Sequence, residues 1–247
     1  MILRSITRHV RDQNWFAVGL DFLIVVLGVF IGIQVANWNS ARLGAEQQQR
    51  YIERLSADFH AIKRRIDSHF VTFEGIIEGT EHLQQLLSLS EAEFREIVID
   101  PQRLKDAAAR IDHARIPPGS SATYLEMVAA GQLSALGNPA LRDRLAEYER
   151  LTGIHLEVFR MSVAQVSQQR PILFRHYKVR TALDAEALSG MRMEAERIDL
   201  DGMRRDPEFE IALMIAQTAT RNNYGLRRLE ARVVDEILAL LDAELAR

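Results

Sequence analysis

The stretch at residues 15–38, WFAVGLDFLIVVLGVFIGIQVANW, constrains this chain more than any other part of it. As a helix it holds about 24 residues and rises roughly 36 Å, enough to cross a hydrocarbon core of about 30 Å. Trp15 and Trp38 stand at its two edges, where interfacial aromatics sit. A secretory signal peptide is the first rival reading, because the apolar run at 22–33 follows a basic segment. The residues after that run, from Gln34 to Asn39, offer no well-placed small-x-small pair for cleavage. A buried core helix is the second rival, disfavoured by apolar surface nearly all round the helix. The expectation is one uncleaved signal-anchor whose first partner is the lipid bilayer.

Orientation rests on basic residues. Arg4, Arg8 and Arg11 precede the span, whereas Arg42, Arg50 and Arg54 follow it interleaved with Glu46 and Glu53. The short, acid-poor residues 1–14 are expected to form a cytoplasmic tail at the bacterial inner membrane. Residues 15–38 then cross, and residues 39–247 form a periplasmic domain.

Asp21 is the one ionisable side chain in the span. A carboxylate at the bilayer centre costs on the order of 3 kcal/mol on insertion scales. Asp21 lies only roughly 9 Å in from Trp15, so the headgroups are within reach and the cost is lower. At 100° per residue, Asp21, Val25, Gly28, Gly32, Val35 and Asn39 share one face, and Ala36 extends the Gly28-x-x-x-Gly32 pattern. Small residues at that spacing let two backbones approach closely, and a polar side chain on the seam can hydrogen-bond across it. Asp21, Gly28, Gly32 and Ala36 are therefore the candidate transmembrane contact, with Trp15 and Trp38 as interfacial anchors. The plainer alternative is a lipid-facing stripe, since G-x-x-x-G recurs by chance in apolar segments.

Beyond Ser40 polarity rises without a Pro- or Gly/Ser-rich linker, so the helix can continue out of the bilayer. Ile52, Leu55, Phe59, Ile62, Ile66, His69, Phe73, Ile76, Thr80, Leu83 and Leu87 follow alternating spacings of three and four, a heptad seam. His69 and Thr80 interrupt it and later helices need partners, which favours an intrachain bundle with some pairing between chains. Ser90 with Glu93 forms a capping box. Asp100-Pro101, Asn138-Pro139 and Asp206-Pro207 each put an N-cap residue before proline at the first helical position. A loop at 117–121 precedes a short helix at about 122–130, and Pro171 is expected to break or kink the long helix that starts at Pro139. With six prolines, thirteen glycines and few alternating Val, Ile and Thr runs, no extended sheet is expected. The fold class is all-α: one transmembrane helix followed by a long-helix bundle with coiled-coil-like heptad stripes.

Two blocks carry a resemblance. Asn14-Trp15-Phe16-Ala17-Val18-Gly19-Leu20-Asp21, with the segment from Gly28 through Asn37-Trp38-Asn39, resembles the start of a bacterial family of single-span membrane proteins defined only as a domain of unknown function. Thr123-Tyr124-Leu125-Glu126-Met127, running on through Gly131-Gln132-Leu133 to Leu141-Arg142 and Tyr148, is similar to that family's second recurring block. The resemblance implies the topology and no activity or catalytic residue.

Chemistry is sparse. The seven histidines, His9, His60, His69, His82, His113, His155 and His176, form no H-E-x-x-H and no Glu-x-x-His pair. Glu74, Glu78 and His82 share a helix face, which reads as solvated rather than metal-binding. Phosphate-cradle and hydrolase-elbow motifs are lacking, and zero cysteines remove disulfides and thiolate chemistry. Lys63-Arg64-Arg65, Arg204-Arg205 and Arg227-Arg228 read as solvated faces. A net charge of -3 creates no field for nucleic acid. The expected function is a noncatalytic, cofactor-free interaction or scaffold protein of the envelope, a homo-oligomer through its helices. The alternative is a single-span subunit of a proton-driven, stator-like complex that uses Asp21 with a multi-span partner.

Overall fold

A computed structural model describes residues 15–112, 114–183 and 191–246. The expected tail at 1–14, with His9, and His113 lie outside these residues, as does the side chain of Trp15. Helix α1, Trp15–Ser88, is 74 residues long and unbroken. The chain divides into two compact units, one ending at Tyr51 and the other beginning at Ile52.

In the first unit the described side chains from residue 19 to residue 46 are exposed. Phe22, Ile24, Val29, Phe30 and Ile33 are each more than half exposed, and Trp38 is 68% exposed. A core helix of a soluble domain would bury these side chains, so that reading is set aside. The helix is long and apolar enough to cross a membrane.

The second unit is a helical bundle. Besides the rest of α1 it contains α2 (Glu91–Glu96), α3 (Pro101–Arg110), α4 (Ala122–Ala129), α5 (Pro139–Leu173), α6 (Leu200–Arg205) and α7 (Pro207–Leu245). A short 3-10 turn at Leu133–Ala135 precedes α5. The heptad seam of α1 is spent inside this bundle: Leu55, Phe59, Ile66, Phe73, Ile76 and Leu83 are buried. Phe59 meets Tyr148 of α5 edge-on at 5.2 Å, and Phe73 meets Tyr224 of α7 at 6.1 Å. Thr80, an interruption in the seam, is accommodated because its hydroxyl donates to Ile76 O at 2.9 Å while its carbonyl accepts from Gln217 Nε2 at 3.0 Å. At Gly79 the absent side chain matters, since a Cβ there would stand 3.1 Å from Ala107 Cα on α3.

All four expected helix starts are capped. Ser90 and Glu93 form the reciprocal box. Asp100 Oδ1 accepts from Gln102 N at 2.8 Å, Asn138 Oδ1 from Leu141 N at 3.3 Å, and Asp206 Oδ1 from Glu208 N at 3.0 Å. Helix α5 passes through Pro171 and ends two residues later, close to the expected break.

One element was not expected. Tyr177–Leu183 (β1) and Met191–Ile198 (β2) pair antiparallel, with a register shift at Lys178/Val179. Tyr177 and Ala195 point into the core while Lys178 and Glu196 face out, the period-two alternation of a half-buried strand. In β2 Glu194, Ala195 and Glu196 carry that alternation, so a search for Val, Ile and Thr passes over it. The hairpin adds two short strands, β2 lying against α3, and leaves the all-α class in place.

Candidate functional site

The residues singled out from the sequence all lie in the first unit. Asp21, Gly28, Gly32 and Ala36 are solvent-exposed on α1, and a Cβ built at Gly28 or Gly32 meets nothing within 4 Å. The stripe is open along its length.

The bundle interior holds a second arrangement, and here the reading of Arg227-Arg228 as a solvated face is corrected at Arg227, while Arg228 is exposed. Arg227 is 0% exposed. It falls on the inner face of α7 with Asn223 one turn before and Glu230 one turn after, so helical spacing alone delivers three polar groups to the core. Arg227 Nη1 donates to Glu230 Oε2 at 2.7 Å. Across the bundle, the fully buried His155 of α5 places Nδ1 2.9 Å from Glu230 Oε1. Arg227 Nε and Nη2 and His155 Nε2 make no hydrogen bond to protein groups among the described residues. Burial pushes the Arg227 guanidinium below its ordinary range, with Glu230 working against that shift. On the α1 side His69 is driven down to about 4, first by burial and then by the positive charge of Arg227, Arg115 and Arg65. Burial also raises the Tyr148 phenol, whose hydroxyl donates to Gly119 O at 2.9 Å.

Arg204 is also misread as a solvated residue. Its guanidinium donates to Leu86 O at 2.9 Å and Leu89 O at 2.7 Å, closing the open carbonyls at the end of α1, and stacks 4.0 Å over the Phe94 ring. Lys63 pairs with Asp235 at 2.7 Å. Glu78 is drawn to Arg103 at 2.9 Å, and no group of three metal-ligating residues converges among the described residues.

Beside the charged layer, Phe73 of α1, Phe159 and Ser162 of α5, and Ala219 and Asn223 of α7 line a cavity of about 260 Å3. Asp112, its side chain only 4% exposed, pairs with Arg170 Nε at 3.0 Å in the same lining. Asn223 Nδ2 donates both to Ala219 O at 2.7 Å and to Ser162 Oγ at 3.0 Å. Neither the charged layer nor this cavity was anticipated from sequence. The one available signal was the i, i+4, i+7 spacing of Asn223, Arg227 and Glu230 within an otherwise apolar stripe.

No family model matches the chain, and no match was found among curated proteins or solved structures. The resemblance of the two sequence blocks rests on those residues alone.

Proposed function

We propose that this chain is a noncatalytic, membrane-anchored interaction protein of the bacterial envelope. In this reading α1 crosses the inner membrane once, residues 1–14 stay cytoplasmic, and the helical bundle is periplasmic. Copies associate through the face of Asp21, Gly28, Gly32 and Ala36. The observation that carries it is the uncovered apolar surface of the first unit, interrupted by a stripe on which Gly28 and Gly32 leave room for a neighbouring backbone.

The chain has no cysteine, so single introduced cysteines report contacts without background. Val25→Cys lies on the stripe and Phe30→Cys on the opposite side of the helix. In oxidised membranes Val25→Cys is expected to give a disulfide-linked dimer and Phe30→Cys is not. Equal crosslinking at both positions, or none at either, removes self-association through this face. A C-terminal alkaline phosphatase fusion tests the topology separately, and an inactive fusion reverses the orientation.

A further inference from the structure

Ion pairs tie the outer margin of α7 to α1. Asp235 pairs with Lys63 at 2.7 Å, and Arg221 pairs with Glu81 at 2.8 Å, the register of two antiparallel helices. Between these rungs the pattern breaks. There α7 presents Gly225, Arg228, Ala231 and Arg232, α1 presents Phe70, and with Asp235 they line an open groove of about 500 Å3.

Gly225 lies inside a 39-residue helix, where glycine is the least favourable residue after proline. Packing does not call for it, because a Cβ there meets no atom within 4 Å. The missing side chain instead keeps the groove open beside Phe70, a half-buried ring held edge-on to Tyr224 at 5.5 Å.

The charges of the groove are unbalanced. Arg228 and Arg232 stand exposed one turn apart, a like-charge spacing that works against the helix. Neither forms an ion pair among the described residues. The neighbouring acids are engaged elsewhere: Asp235 and Asp67 with Lys63 at 2.7 Å and 3.9 Å, and Glu74 with the Tyr224 hydroxyl, which donates to it at 3.5 Å. Two guanidinium groups on adjacent turns can close on one anionic group, each through paired N–H donors. The volume falls within the roughly 300–1,000 Å3 of small-molecule sites.

We infer that this groove binds a small organic anion with a flat apolar body, its acidic group held between Arg228 and Arg232 and its body set against Phe70 in the space that Gly225 leaves. Every residue of the site is in the second unit, so the inference does not depend on self-association of the span. It makes the bundle a receptor for an aromatic acid rather than a bare spacer.

2-Naphthoate is a suitable probe, and 2-naphthamide is its neutral counterpart of nearly the same shape. Binding of each to the full-length protein in uncharged micelles is measured by equilibrium dialysis against protein-free micelles, so partition into detergent cancels. 2-Naphthoate is expected to bind about tenfold more tightly than the amide, the scale of charge-assisted hydrogen bonds from the two arginines. Arg228→Gln with Arg232→Gln should bring the two probes to equal affinity. Gly225→Leu should abolish binding of 2-naphthoate while raising the melting temperature, because it fills the groove and removes a glycine from the helix interior. Equal affinity of the two probes for the unmodified protein overturns the proposal, as does no binding. So does 2-naphthoate binding that survives Gly225→Leu, or a preference for the anion that survives the double arginine change. The comparison of probes on the unmodified protein stands even if a variant fails to fold.

Discussion

Arg227 and Glu230 are bonded at 2.7 Å one turn apart on α7, with both side chains closed to solvent at 0% and 1% exposure. Two charges removed from water each lose several kcal/mol of hydration, which their attraction and further hydrogen bonds return only in part. Their value lies less in net stability than in the cost of breaking the pair. Arg227→Met alone leaves the Glu230 carboxylate in the core with only His155 beside it and is expected to cost about 3–5 kcal/mol. Arg227→Met with Glu230→Gln should regain most of that loss. Urea unfolding of the full-length protein in micelles measures both, and a single variant as stable as the double would mean that the pair is not energetically coupled.

His69 gives the bundle a pH dependence with a definite sign. Its folded-state pKa lies at about 4 against an ordinary 6.5, so on acidification the unfolded chain takes up a proton that the folded chain refuses. Stability is therefore full above about 6.5, falls as pH drops from about 6.5 to about 4, and the His69 contribution levels off below that. Partial exposure of the ring screens the effect, which is expected to be on the order of 1–2 kcal/mol. His69→Leu should flatten the stability profile across this window. A profile as steep as that of the unmodified protein would assign the slope to other groups.

At Gly79 the backbones of α1 and α3 come close, with an added Cβ only 3.1 Å from Ala107 Cα. Gly79→Leu is expected to wedge the two helices apart and cost about 1–3 kcal/mol, despite the better helix propensity of leucine. The same change at Gly153 on α5, where a Cβ meets nothing within 4 Å, should be neutral or stabilising. Thermal unfolding followed by circular dichroism distinguishes them, and equal melting temperatures would refute the contact.

Asp21 separates the two functional readings. As a seam residue, Asp21→Asn should weaken the Val25→Cys crosslink by about threefold or more, the scale of one interhelical hydrogen bond in lipid. Affinity capture from crosslinked membranes gives the other arm. A multi-span protein recovered with Asp21 and lost with Asp21→Asn would favour the proton-driven, stator-like alternative over self-association.

The sequence makes helix boundaries readable where a side chain acts on its own neighbours. Ser90, Asp100, Asn138 and Asp206 each cap a backbone amide within three residues, so chemistry and position coincide in the string. Arg227 is different. Its burial depends on Glu230 beside it and on His155, seventy-odd positions earlier, and only the packing of α5 against α7 brings that histidine close. The same holds for the acceptor at Asn223, which is left over only because Ala219 and Ser162 claim the amide protons. The hairpin shows a third kind of limit: its alternation is present in Glu194 and Glu196 against Ala195, but in residue types with weak strand preference.

The pairing of α1 with α7 also sets an order on the making of the protein. Lys63 and Asp235 are bonded across 172 positions, and Thr80 and Gln217 across 137. The seam of α1 leaves the ribosome first and meets these partners only after 137 to 172 more residues have been made. During that interval Leu55, Phe59, Ile66 and Phe73 lack part of their cover, a state prone to aggregation. A premature stop anywhere in α7 would leave a chain with an intact apolar N-terminal helix and an open core, a form that quality-control proteases should clear rather than one that retains partial activity.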